Sequence, residues 1–213
     1  MISVIGYGSL LSETSARETV PLLQNFRLVK VEGYRRIFNK VGIVFFSRHG
    51  ASTTDLEIAS CSTEPCDSSV MWCSQFECPE EAFVDLYERE HRFRWIEVET
   101  CDAEGQRTVG RMCTGFSDSE YRLNKCVTPQ EYQRRVGQYY NGPLWRDDIL
   151  PFPRYLAFCL QAAASQGDEI LSNFMDTTFL ADGETSVRAY VASHPTLSGW
   201  SEIDTGYSYT RTR

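Results

Sequence analysis

Positive charge is scarce in this sequence. Lysine occurs three times, and 21 Lys and Arg stand against 29 Asp and Glu, for a net charge of −8. Nucleic-acid binding needs clustered cations to meet the phosphates, and adhesion to an anionic bilayer needs them too. Neither nucleic acid nor a membrane is therefore expected as a partner. Long apolar runs are also missing. The first, Ile2 to Ile5, is too short for the core of a leader and has no basic residue before it, so a cytoplasmic protein is expected. Histidine is confined to His49, His91 and His194, and none stands at a recognisable spacing from a cysteine. No Cys-x-x-Cys pair occurs. Cys61, Cys66, Cys73 and Cys78 are spaced by five, seven and five, which is not a zinc-ribbon pattern. In a chain without an export signal, the eight cysteines read as reduced and mostly buried. No metal and no cofactor is expected, and a thiol or metal enzyme is the weakest reading.

What is present suits one domain of ordinary size: 213 residues, 42% hydrophobic and 23% charged. The chain has two textures. Up to about residue 116 it reads as short strands with one strong helix. Strands are expected at Met1 to Ile5, Phe26 to Val31, Ile37 to Phe46, Leu56 to Cys61, Val70 to Glu77, Phe93 to Cys101 and Thr108 to Phe116, on their β-branched and aromatic content. A short polar helix is expected at Ser12 to Val20. From about residue 128 the pattern is helical: Thr128 to Tyr140, an apolar stripe through Leu156, Cys159, Leu160, Ala163 and Ala164 that ends near Gly167, and Thr185 to Ala192 after an Asp182-Gly183 turn. The polar end of the chain reads as a mobile tail.

The helix inside the strand-rich half is the most informative segment. Pro79 suits a first helical position, and Glu80 and Glu81 suit the positive end of the helix dipole. Phe83, Leu86, Tyr87 and Glu90 then fall at i, i+3, i+4 and i+7, on one face. A carboxylate thus takes the last place on a stripe that faces the core. Removal from water suits a general base near neutrality. The same spacing also fits a salt bridge to Arg94 or Arg36. The second informative segment is Gly6-Tyr7-Gly8-Ser9-Leu10, directly after the first strand. Its glycines let backbone N–H groups come close to a ligand. It lacks the third glycine of a dinucleotide fingerprint and the spacing of a nucleophile elbow, so by itself it reads as a tight turn more readily than as a ligand loop.

The order of these features resembles the γ-glutamyl cyclotransferase family. Tyr7-Gly8-Ser9-Leu10 is similar to the family's Tyr-Gly-Ser-Asn/Leu substrate loop, and Gly33-Tyr34-Arg35-Arg36-Ile37-Phe38 to its Gly-Tyr-Arg-Arg-x-Phe segment. Val70 to Phe83 resembles the strand leading into the catalytic helix, Leu86 to Glu90 the Leu-x-x-x-Glu segment, and Arg89-Glu90 the Arg-Glu pair of the ChaC-type branch. The sequence departs from the family at Cys73, where glycine is usual, and at Phe93 and Trp95, where a tyrosine often follows the glutamate.

The resemblance implies an α+β fold: a small mixed β-barrel with a catalytic helix over residues 1–118, a helical extension packed on it over 119–200, and the tail over 201–213. It implies a cofactor-free reaction on a small γ-glutamyl compound, in which the substrate's own α-amine attacks its γ-carbonyl to give 5-oxoproline and a released amine. Glu90 is the expected acid–base catalyst. Tyr7, Gly8, Ser9 and Leu10 are the expected substrate loop, and Arg36 is a candidate for the α-carboxylate. The other reading is a non-catalytic small-ligand module on the same fold, suggested by Cys73 and the missing tyrosine.

Overall fold

The computed structural model describes residues 1–205, and the rest of the expected tail lies outside the described residues. β1 (Ile2–Gly6) runs through a short 3₁₀ turn at Ser9–Leu11 into α1 (Glu13–Thr19). β2 (Gln24–Val41) and β3 (Glu57–Cys78) flank α2 (Ile43–Arg48). α3 (Glu80–Arg89) leads to the hairpin of β4 (Arg94–Cys101) and β5 (Arg107–Thr114). α4 (Asp118–Lys125) and α5 (Pro129–Tyr132) follow, and α5 widens into a π-type turn at Gln133–Gly137. β6 (Leu150–Pro151), α6 (Pro153–Ala164), α7 (Asp168–Thr177), β7 (Thr178–Leu180) and α8 (Val187–Ser193) complete the order.

The strand order β6-β3-β1-β5-β4-β2-β7, with β2 also paired to β3, closes β3, β1, β5, β4 and β2 into a barrel. The barrel is mixed: β1 lies parallel to β5 and antiparallel to β3. The expected α+β barrel is thus found. Its walls differ from expectation in one respect. The four separate strands read at 26–31, 37–46, 56–61 and 70–77 become two long ones of 18 and 22 residues. The β2–β3 register slips at Gln24/Arg27, Glu32/Tyr34 and Ile37/Lys40. Such irregularities let a long strand bend around a closed barrel. Gly33, at φ +79°, stands at the middle slip, in a conformation that β-branched or bulky residues avoid.

The strand expected to run to Phe46 stops at Val41. Gly42 turns the chain, the Phe45 N–H donates to the Gly42 carbonyl at 2.9 Å, and Ile43–Arg48 coils into α2. Phe45 then stacks on Phe152 with ring centroids 4.3 Å apart, so its apolar side is buried by helix packing. Two helices had no clear sequence signal. α4 is mostly polar and begins at a capping box of Ser117 and Glu120; α7 begins straight after Gly167. The extension is also not purely helical, because β6 pairs with β3 and β7 with β2. One apolar cluster joins barrel residues such as Phe38 and Met112 to Leu160, Phe174 and Val191 of the extension. Part of the expected tail is docked: the Gln161 side-chain amide donates to the carbonyls of Trp200 and Ile203 at 3.0 Å each.

Candidate active site

The loop after β1 is built by fixing its carbonyls. Arg36 Nε donates to the Tyr7 carbonyl at 2.7 Å, and Ser74 Oγ donates to those of Leu10 at 2.7 Å and Gly6 at 3.3 Å. The Leu11 N–H takes the Gly8 carbonyl at 3.0 Å. In a trans peptide the C=O and the next N–H point opposite ways. Tying down the carbonyls of Gly6, Tyr7 and Gly8 therefore turns the N–H groups of Tyr7, Gly8 and Ser9 the other way. Among the described residues none of these three N–H groups has an acceptor. Gly6 must be glycine, because a Cβ there would lie 2.6 Å from Leu10 Cβ and 2.7 Å from Ser74 Oγ.

Tyr7, Gly8, Ser9 and Leu10 line a cavity of about 440 Å³, within the usual range for small-molecule sites. Glu90 lines the same cavity. α3 ends at Arg89, and Glu90 stands just past it at φ −93°, ψ 20°. Its carboxylate pairs with Arg89 Nε at 3.0 Å and is about one-fifth exposed. Arg89 in turn donates to Thr19 Oγ1 and, at 3.4 Å, to Ser9 Oγ. One guanidinium thus links the carboxylate to the loop after β1. The salt bridge considered from spacing does form, but to Arg89; Arg94 pairs with Glu120 instead.

Arg36 does not line the cavity. The direct carboxylate contact considered for it is replaced by a positioning role. It is fully buried, donates to Tyr7 and Trp72 carbonyls and lies 4.8 Å from the Phe174 ring centroid. Its hydrogen bonds are already committed to holding the loop from behind. Cys73 lies beside it, with its thiol pushed up to about 11 by burial, against the pull of Arg36.

Several lining residues were not read from the sequence. Lys40 is 5% exposed, and burial pulls its ammonium down to about 7; the Arg92 guanidinium pulls the same way and the Glu90 carboxylate pulls back. Tyr155, from α6, and Tyr139 bring phenols to the cavity, which Phe93 and Trp95 also line. An aromatic cluster at 152–155 was a possible signal; a lone lysine in a strand was not. Burial raises the Tyr7 hydroxyl well above its ordinary value, with Cys113, Cys61 and Glu90 adding to the effect. Tyr7 is therefore a hydrogen-bond donor at neutral pH. Burial likewise keeps the thiols of Cys61 and Cys113 protonated.

The histidines are not at this site. His91, two residues past the end of α3, is buried, with Nδ1 3.3 Å from the Tyr121 hydroxyl. Among the described residues no group of three or more His, Cys, Asp or Glu is placed to hold a metal, and no helix is long and apolar enough to cross a membrane.

No protein-family model and no curated protein matches the chain. Solved structures do. The uncharacterised protein loc79017 from Homo sapiens aligns over 81% of this chain and 83% of its own, at 13% identity and a TM-score of 0.55. YkqA from Bacillus subtilis aligns over 80% of this chain and 51% of its own, at 13% identity and a TM-score of 0.51. The chain shares its fold with these two. A yeast γ-glutamyl cyclotransferase specific to glutathione also aligns, over 80% of this chain and 92% of its own, at 15% identity and a TM-score of 0.46.

Proposed function

We propose that this protein is a γ-glutamyl cyclotransferase acting on a small γ-glutamyl compound, with Glu90 as general acid and base. The observation that carries this reading is the shared cavity. A half-buried carboxylate and a loop with three unpaired N–H groups line one space and are tied together through Arg89. That is the geometry the sequence resemblance requires.

The chemistry follows from what these groups offer. A free α-amine has a pKa of about 8 and is mostly protonated at neutral pH. Glu90 accepts its proton, the nitrogen pair attacks the γ-carbonyl carbon, and a C–N bond forms within the substrate. The carbonyl oxygen takes up the negative charge of the tetrahedral intermediate. The N–H groups of Tyr7, Gly8 and Ser9 are donors for that oxygen, each worth roughly 3 kcal/mol when well aimed. Glu90 then passes the proton to the leaving nitrogen, the amide C–N bond breaks, the new ring nitrogen gives its second proton through Glu90 to the departing amine, and 5-oxoproline and a protonated amine separate. The nucleophile belongs to the substrate, so no cysteine or serine nucleophile takes part. The protein's main task is to hold a folded conformer, which supplies about 7–11 kcal/mol of such a barrier.

The test is a panel of γ-glutamyl amino acids, peptides and amines with chromatographic detection of 5-oxoproline. The variant E90Q keeps the shape and removes the base, so turnover should fall about 10²–10⁴-fold. Unchanged turnover in E90Q would remove Glu90 from its role. Tight calorimetric binding with no product in the unaltered protein would favour the binding-module reading.

A further inference from the structure

The cavity is positively charged in a negatively charged protein. Lys40, Arg48, Arg89 and Arg92 line it against Glu88 and Glu90. Most of these cations have partners. Arg89 holds Glu90, and Arg92, half-buried, donates to the Arg135 carbonyl at 2.6 Å with its Nε unpaired. Arg48 is exposed. Lys40 is the most buried of the four. It is buried, its Nζ donates to one neutral acceptor, the Val41 carbonyl at 3.1 Å, and it sits 4.8 Å from the Phe93 ring centroid. No carboxylate lies within ion-pair distance of it among the described residues. An ammonium has three donors, and burying one without an anion is unfavourable. The position is also irregular: the register slip between Ile37 and Lys40 re-aims this stretch of β2 beside the cavity.

We propose that Lys40 is the anchor for the substrate's α-carboxylate. The inference rests on the cyclotransferase reading and adds to it. An α-amine and an α-carboxylate share one carbon. If Glu90 meets the amine, the carboxylate lies close to Glu90, and two like charges in a half-buried space repel. A cation is needed there, and Lys40 is close enough to Glu90 to feel its charge. Arg36 cannot supply it, since it lies outside the cavity. The anchor places the amine against Glu90 and the γ-carbonyl toward the Tyr7–Ser9 N–H groups. It selects compounds with a free α-carboxylate over decarboxylated analogues.

The groups around Lys40 make the prediction specific. Glu90, Arg92 and Cys113 act on it directly, and Tyr7 lines the same space. Burial keeps Tyr7 and Cys113 protonated across neutral pH, and an arginine stays charged. Burial holds the Lys40 ammonium down to about 7, so without a carboxylate beside it Lys40 should lose its proton as pH rises through that value. Carboxylate affinity should therefore be full below that pH and fall about tenfold per unit above it.

The experiment is calorimetric titration with 5-oxoproline and with 2-pyrrolidinone, the same ring without the carboxylate. The unaltered protein should prefer 5-oxoproline, and K40M should lower that preference at least tenfold. K40R should restore it and remove the loss of affinity between pH 6.5 and 8.5. Preference that survives in K40M, or the same pH profile in K40R as in the unaltered protein, overturns the proposal and points to Arg92. The pH profile of the unaltered protein provides the test even if a variant fails to fold. Turnover of a γ-glutamyl amino acid, followed in parallel, separates the two readings. Product without a Lys40-dependent preference removes the anchor and keeps the enzyme. A Lys40-dependent preference without product keeps the anchor and removes the enzyme.

Discussion

Arg36 shows how a residue next to a site differs from one in it. It is the largest of the fully buried side chains, and its donors meet backbone carbonyls on two sides. Replacing it with methionine keeps most of the volume and leaves the Tyr7 and Trp72 carbonyls without their donor. Each unpaired buried acceptor costs about 1–3 kcal/mol. R36M should therefore lose about 2–6 kcal/mol in urea unfolding. Substrate affinity should fall as well, because the peptide that presents the Gly8 N–H is no longer held. A stable R36M with unchanged loop geometry would mean that the guanidinium is dispensable. Glu90 and Lys40 carry the residue-scale predictions about chemistry: in the proposed reaction one takes and returns a proton, and the other holds charge in place.

At the scale of elements, helix ends set the site's geometry. α3 delivers Glu90 because its last turn ends at Arg89, leaving the next side chain at the cavity and the one after it, His91, in the core. α4 depends on its cap. Ser117 Oγ accepts from the Glu120 N–H at 3.2 Å, and the Glu120 carboxylate accepts from the Ser117 N–H at 2.9 Å. Asp118, in the first turn of α4, then accepts from the Leu144 N–H at 2.8 Å and so ties in the segment that leads to β6. S117A should cost about 1 kcal/mol and, for a domain of this size, about 2–4 °C in thermal midpoint. Scanning calorimetry measures this, and no shift would mean that the cap is idle. The long strands β2 and β3 act at the same scale. Their register slips bend the barrel, and one of them brings Lys40 to the cavity.

For the whole molecule, acid stability depends in part on one buried imidazole. Burial lowers His91 to about 4, with Arg135 pulling the same way. An unfolded histidine titrates near 6.5. Between those values the unfolded chain binds more protons than the folded one, so stability is complete above about 6.5 and is lost as pH falls toward 4. Thermal midpoints should drop over that window, and H91Q, which cannot titrate there, should flatten the drop. The barrel and the extension should unfold together, because one apolar cluster spans both.

Much of the molecule was legible in the sequence. The period of Phe83, Leu86, Tyr87 and Glu90 placed a carboxylate at the end of a helical face, and the two glycines after a short strand marked a loop with exposed backbone. Both are local signals, written in spacing that the backbone enforces. What the tertiary structure alone decided was which residues share the cavity with them. Arg36 and Lys40 are cations four residues apart on one strand, with the same alternation in the sequence. A register slip between them separates their surroundings, so one holds the loop from behind and the other lines the cavity. Tyr155 reaches the cavity from more than 140 residues beyond the loop it faces. Neither outcome is encoded in local period, because both depend on how a closed barrel bends and on what packs against it.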